Sequence, residues 1–172
     1  SFDSTSPLIR AFKDEKANYY LENQEGGLDY YTAIRIPQAL ENTRLMQGIK
    51  RGLFRTEDLV KMEQNALKRL RDFDKGIGSL EGTADAVVEY HHYLLQGQGE
   101  DPKGIEKTLS LIRTRIERTL RSQPWKRCKC SICQSIGVEV IIFRSSNRNK
   151  RRGFHNLGVY HQHVKHTLER ST

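Results

Sequence analysis

The middle of the chain alternates apolar and polar residues at helical spacing. Leu59, Met62, Ala66, Leu67, Leu70 and Phe73 share one face. Thr56 predicts the cap of that helix, with Glu57 and Asp58 in the first turn, where the helix dipole favours acids. Leu45 and Ile49 mark a shorter helix before it, stopped by Gly52. Thr83 predicts the start of a third helix carrying Val87, Tyr90, His91 and Leu94, which Gly97 ends. Asp101-Pro102 reads as a cap followed by proline at the first helical position, and Ile105, Leu109, Ile112, Ile116 and Leu120 form the stripe of a fourth helix. Its other face holds Arg113, Arg115, Arg118 and Arg121, which a solvated surface explains. His91-His92 reads as half-buried packing, with no partner that would make it a metal site.

The flanks follow a different pattern. Tyr19-Tyr20 and Tyr30-Tyr31 bracket Gly26-Gly27 and predict a short hairpin, its second strand running from Tyr30 to Ile36 until Pro37 ends it. Near the far end, Val138 to Phe143 is a β-branched apolar run that predicts a buried strand. A last helix starts near Arg151 and carries Phe154, Leu157, Tyr160, Val164 and Leu168. The expected fold is therefore mainly α with a few short strands.

Composition narrows the class. The chain has 172 residues, 36% hydrophobic and 29% charged, with a net charge of +8. That suits one domain's worth of core and a polyanionic partner. No apolar run is long enough to span a bilayer and no secretory signal is visible. Neither a Gly-rich phosphate loop nor a Ser/His/Asp order appears.

The candidate chemistry lies in Cys128, Cys130 and Cys133, the chain's three cysteines, all within six residues. Three thiols always leave one over in a disulfide scheme, whereas three thiolates plus one imidazole complete a tetrahedral zinc site. The alternative is three thiols without a metal. Clustered thiols of this kind fit a reducing cytoplasm. His155, His161, His163 and His166 all follow the cysteines. His155 is the expected fourth ligand, because a strand leaving the cluster and a helix returning would bring that helix's first turn back to the metal. Between them, residues 144–152 hold five basic residues in nine: Arg144, Arg148, Lys150, Arg151 and Arg152. Such a loop suits nucleic-acid phosphates, or is simply solvated. At the other end, Asp3 reads on its own as a cap in the loop before Pro7.

Two of these stretches together resemble one family. Cys128, Cys130, Cys133 and His155 resemble the zinc site of the tRNA-guanine transglycosylases. Phe2-Asp3, with Pro7 four residues after the aspartate, resembles that family's Phe-Asp-x-x-x-Pro segment. The resemblance implies that Asp3 is the catalytic nucleophile at the end of a late strand of a (β/α)₈ TIM barrel. In the tRNA-directed enzymes Thr-Arg follows the proline; here Leu8-Ile9-Arg10 does. The wording from Val138 to Arg144, from Asn147 to Asn156, and from Ser1 to Pro7 is similar instead to the DNA-directed branch, which exchanges guanine for a 7-deazaguanine such as preQ0. The implied organisation is a closing barrel strand and nucleophile loop with hairpin over 1–38, a helical insertion over 39–123, and a zinc-binding subdomain with basic loop and C-terminal helix over 124–172. A closed barrel takes about 250 residues, so the general acid and base pocket are expected outside these 172, and the chain alone is not expected to be catalytically complete. A homodimer of the full enzyme is a further expectation. The competing expectations are a tRNA-directed enzyme and a non-catalytic zinc-stabilised module that binds nucleic acid.

Overall fold

Helices dominate, as the periodicity predicts. The computed structural model describes residues 18–144 and 150–171, with Lys150 described by its backbone alone. The chain divides into two units. The described part of the first comprises residues 18–34, 122–144 and 150–171; the second is 35–121.

In the second unit, α1 (Thr43–Lys50) begins where the Asn42 side chain accepts from the Leu45 amide at 3.2 Å. Helix α2 (Thr56–Asp74) starts without a side-chain cap: Arg55 holds the cap position and Thr56 is already helical, one residue off expectation. Helix α3 (Leu80–Gly97) starts a turn earlier than Thr83. Ser79 caps it by accepting from the Gly82 amide at 3.0 Å, and Thr83 is buried in the first turn, donating to the Ser79 carbonyl. Helices α2 and α3 pack on each other, burying Leu59, Ala66 and Leu70 on one side and Ala84, Val87, Tyr90 and Leu94 on the other. The buried Phe54 ring lies against both Gly48 and Gly97, where any Cβ would collide with it. Helix α3 also holds the segment before α1: the Tyr90 hydroxyl donates to the Pro37 carbonyl at 2.6 Å, and His91 Nε2 donates to the Arg35 carbonyl at 2.7 Å. Helix α4 (Pro102–Ser122) opens on the expected cap, Asp101 accepting from the Gly104 amide at 3.3 Å. Ile105, Ile116 and Leu120 are buried, Arg115, Arg118 and Arg121 are exposed, and Arg113 pairs with Asp85 and Glu117.

The first unit is built around a hairpin. Strands β1 (Asn18–Glu22) and β2 (Leu28–Thr32) are antiparallel, with Tyr19 opposite Tyr31 and Tyr20 opposite Tyr30. Gly26 takes φ +88°, a conformation open to glycine, and the Asn23 side chain accepts from the Glu25 and Gly27 amides to close the turn. The expected strand from Tyr30 to Ile36 is split. It leaves β2 at Thr32, and β3 (Ile34–Arg35) pairs instead with β4 (Ile142–Phe143).

The expected strand over Val138 to Phe143 is mostly not a strand. After α5 (Pro124–Arg127) and α6 (Ser131–Ile136), Gly137 turns the chain at φ +58° into a 3₁₀ turn over Gly137–Val140. Val138, Val140 and Ile141 are all buried there. An apolar run without clean alternation records burial rather than extension. Helix α7 (Lys150–Arg170) then packs along β1. Arg152, His155, Asn156 and Val159 are among its buried residues, while Phe154, Val164 and Leu168 are exposed. No helix among the described residues is long and apolar enough to cross a membrane.

Candidate metal centre

The short helix α6 sets two of the cysteines by its ends. Cys130 is the cap residue, and its sulfur accepts from the Cys133 amide at 3.4 Å. This places Cys133 one turn into the helix and points both sulfurs the same way. Cys128 approaches from the end of α5, where its amide donates to the Pro124 carbonyl. Trp125, in α5, is 2% exposed.

His155 completes the cluster from the first turn of α7. Its Nδ1 lies 3.4 Å from Cys128 Sγ, 3.4 Å from Cys130 Sγ and 3.2 Å from Cys133 Sγ. All four ligand atoms lie within 4.8 Å of one another. Tetrahedral zinc, with sulfurs at about 2.3 Å and nitrogen at about 2.0 Å, puts an N···S edge at about 3.5 Å. The donor set and spacing therefore fit a four-coordinate metal ion closed to water.

The protonation of the site favours the same reading. His155 Nε2 sits 2.8 Å from the Tyr20 carbonyl. A carbonyl can only accept, so Nε2 carries a proton, and the tautomer that bond selects is the one whose Nδ1 lone pair can ligate a metal. Without a cation the three thiols share little charge. Cys128 is drawn down to about 3, chiefly by the hydrogen bond from Cys133, with His155 contributing. Cys133 is pushed well up, first by its bond to Cys128 and then by burial, and Cys130 is raised by burial. A bound dication supplies the charge that lets all three ionise.

Three residues around the cluster were not visible as site residues in the sequence. Tyr19, fully buried, stacks on the His155 ring with centroids 3.9 Å apart and planes 12° from parallel. Its hydroxyl is 3.1 Å from Cys133 Sγ. Burial first, and the neighbouring Cys133 next, push the phenol up, so it keeps its proton. Tyr20 contributes its carbonyl. Asn156 accepts from the Tyr20 amide at 2.8 Å and donates to the Asn18 carbonyl at 2.9 Å. His155 and Asn156 thus occupy the edge of β1 that faces away from β2, in the manner of a third strand. The signal in the sequence was the tyrosine pair itself, which reads only as hairpin flanks.

The other histidines point elsewhere. His163 and His166 bind Glu22 at 3.3 and 2.6 Å, fastening α7 further along β1. His161 is exposed. Of the basic stretch, Arg151 is exposed and Arg144 half-buried. Arg152 is 4% exposed with its guanidinium 5.0 Å above the Phe143 ring. Arg148, the Lys150 side chain and Asp3 lie outside the described residues.

With this geometry in place, comparison with known proteins bears on identity. The chain is 43% identical over 168 residues, 98% of its length, to a protein named DNA-guanine transglycosylase from Salmonella montevideo. The chain is related to the guanine transglycosylases. It spans 37% of that relative's length. No protein-family model matches it.

Proposed function

We propose that this chain is the C-terminal part of a transglycosylase that replaces guanine in DNA with a 7-deazaguanine such as preQ0. The observation that carries the reading is 43% identity sustained over 98% of the chain to a protein of that name, on a cluster of three cysteines and a histidine. The fold context is the closing portion of a (β/α)₈ barrel, with residues 39–123 as a helical insertion between nucleophile and metal subdomain. The setting is cytoplasmic, where thiols stay reduced.

In this reading the Asp3 carboxylate attacks C1′ of the target nucleotide. The glycosidic C–N bond breaks, guanine leaves with a proton from an acid outside this chain, and an aspartyl–sugar ester remains. The N9 nitrogen of the incoming base then attacks C1′, loses its proton and displaces Asp3. Zinc, held by Cys128, Cys130, Cys133 and His155, supplies structure rather than chemistry, because four protein ligands leave no open position. The ligands themselves join α5, α6 and α7 to one point, and so fix where the basic stretch begins and ends. Arg144, Arg148, Lys150 and the exposed Arg151 serve DNA phosphates beside an extruded base. Arg152, packed over Phe143, serves by holding the base of that stretch.

The test is a chimera in which this chain replaces the matched segment of the Salmonella montevideo protein. Zinc-loaded chimera is given guanine-containing DNA and labelled preQ0. Incorporation of label, abolished by Asp3→Asn, is the expected result. A folded, zinc-loaded chimera that binds DNA without exchanging a base would overturn the enzymatic reading in favour of a binding module. Exchange into tRNA alone would reassign the substrate.

A further inference from the structure

We infer that Tyr19 is a positioning residue of the metal centre, its hydroxyl donating to the Cys133 sulfur while its ring holds the His155 imidazole in line. The inference rests on the metal reading above. A metal-bound thiolate has no proton, so the 3.1 Å contact between Tyr19 Oη and Cys133 Sγ has one possible direction, phenol to sulfur. Three thiolates around a dication leave a net negative charge. In a pocket where Cys128, Cys133 and His155 are all buried, a donor aimed at one sulfur lowers the cost of keeping that charge out of water.

The ring does separate work. It lies 3.9 Å from the His155 ring and 12° from parallel, so it blocks rotation of the imidazole about its long axis. The next residue anchors the same imidazole through the Tyr20 carbonyl at 2.8 Å. Consecutive positions of β1 therefore orient two different ligands, one through a side chain and one through the backbone. Groups of this kind, bonded to ligands but not to the metal, commonly change metal affinity by about 10–100-fold when removed.

The experiment compares the zinc-loaded wild-type chain with Tyr19→Phe and Tyr19→Leu. Zinc transfer to a chromogenic chelator gives the release rate, and the Co(II)-substituted forms give the sulfur-to-metal charge-transfer band. Tyr19→Phe keeps the stack and loses only the hydroxyl. It is expected to keep wild-type helicity, release zinc about tenfold faster and move the charge-transfer band to lower energy, because an unbonded thiolate is the stronger donor. Tyr19→Leu, lacking the stack as well, should release zinc faster still. A residue that merely fills space would leave the Tyr19→Phe band and release rate at wild-type values, and that result overturns the inference while the metal reading stands. A wild-type chain that holds no zinc overturns both. Should Tyr19→Phe not fold, the wild-type chain loaded with ¹¹³Cd decides: a slowly exchanging Tyr19 hydroxyl proton close to the Cys133 β-protons supports the bond, and a freely exchanging one overturns it.

Discussion

His155 reaches back across 135 positions to donate its Nε2 proton to the backbone carbonyl of Tyr20 at 2.8 Å. One hydrogen bond thereby joins the metal cluster to the outer edge of the hairpin and selects the ligating tautomer. Metal binding at this cluster is therefore expected to be coupled to the docking of α7 on β1. The imidazole that would ligate the metal is the same one that fastens α7 to β1 through the Tyr20 carbonyl.

That coupling predicts the behaviour of the thiols. Purified chain should carry one zinc, and its three cysteines should resist a thiol reagent until a chelator is added, when all three react. Cys130→Ser should lose the metal and, with it, the ordered structure of residues 124–171. Circular dichroism and metal analysis read both. A Cys130→Ser chain that holds its fold without zinc would remove the structural role of the site.

The cluster was legible because its chemistry is local: three cysteines in six residues and a histidine after the next strand leave few alternatives, and the four side chains do come together. What holds them was not legible. Tyr19, Tyr20 and Asn156 act across a contact separating residues 136 positions apart, and nothing in the local pattern of a tyrosine pair says which edge of the strand faces a helix. The same limit explains the run from Val138 to Phe143. Its β-branched residues correctly marked a buried segment, but the turn at Gly137 carries the chain into a 3₁₀ turn through Val140 and leaves only Ile142–Phe143 as strand. The third helix starts before its expected residue because Ser79, its cap, stands just after Gly78, whose φ of +87° belongs to a turn.

Asn156 gives a second prediction. It satisfies the Tyr20 amide and the Asn18 carbonyl together, while itself fully buried. Asn156→Ala leaves two backbone groups without their partners, at a cost of about 2–3 kcal/mol. Urea unfolding of the zinc-loaded chain measures the loss, and hydrogen exchange should show the Tyr20 amide deprotected ahead of the amides of α2. A change below about 0.5 kcal/mol, the ordinary range of a surface substitution, would mean that water replaces the side chain at that edge.

Further along the same contact, Glu22 makes stability depend on pH. Burial works against its charge, but hydrogen bonds from His166 and His163 outweigh it and hold the carboxyl below its ordinary value of 4.5. A carboxyl depressed by folding contributes stability that is present above the unfolded value and lost as pH falls through the folded one. Glu22→Gln should therefore cost about 0.5–1 kcal/mol near neutrality, and the gap between variant and parent should close as pH drops below 4.5. Thermal melts of both proteins between pH 7 and pH 3 test this. A gap independent of pH would assign the contact to packing instead of charge.

The last prediction concerns two glycines with opposite expectations. Gly97 ends α3 beside Phe54, and a Cβ there would collide with the ring and lie 3.0 Å from the Leu53 carbonyl. The ring is buried and the carbonyl is backbone, so neither yields cheaply. Gly158 lies inside α7 with nothing within 4 Å of its would-be Cβ. Alanine gains up to about 1 kcal/mol over glycine inside a helix, while overpacking a tight contact costs about 1–3 kcal/mol. Gly158→Ala should therefore stabilise the chain and Gly97→Ala should destabilise it. Adding Phe54→Leu to Gly97→Ala separates the two effects: removing the ring should recover part of the loss if the collision causes it, whereas additive losses would trace the damage to the Leu53 carbonyl and the backbone around it.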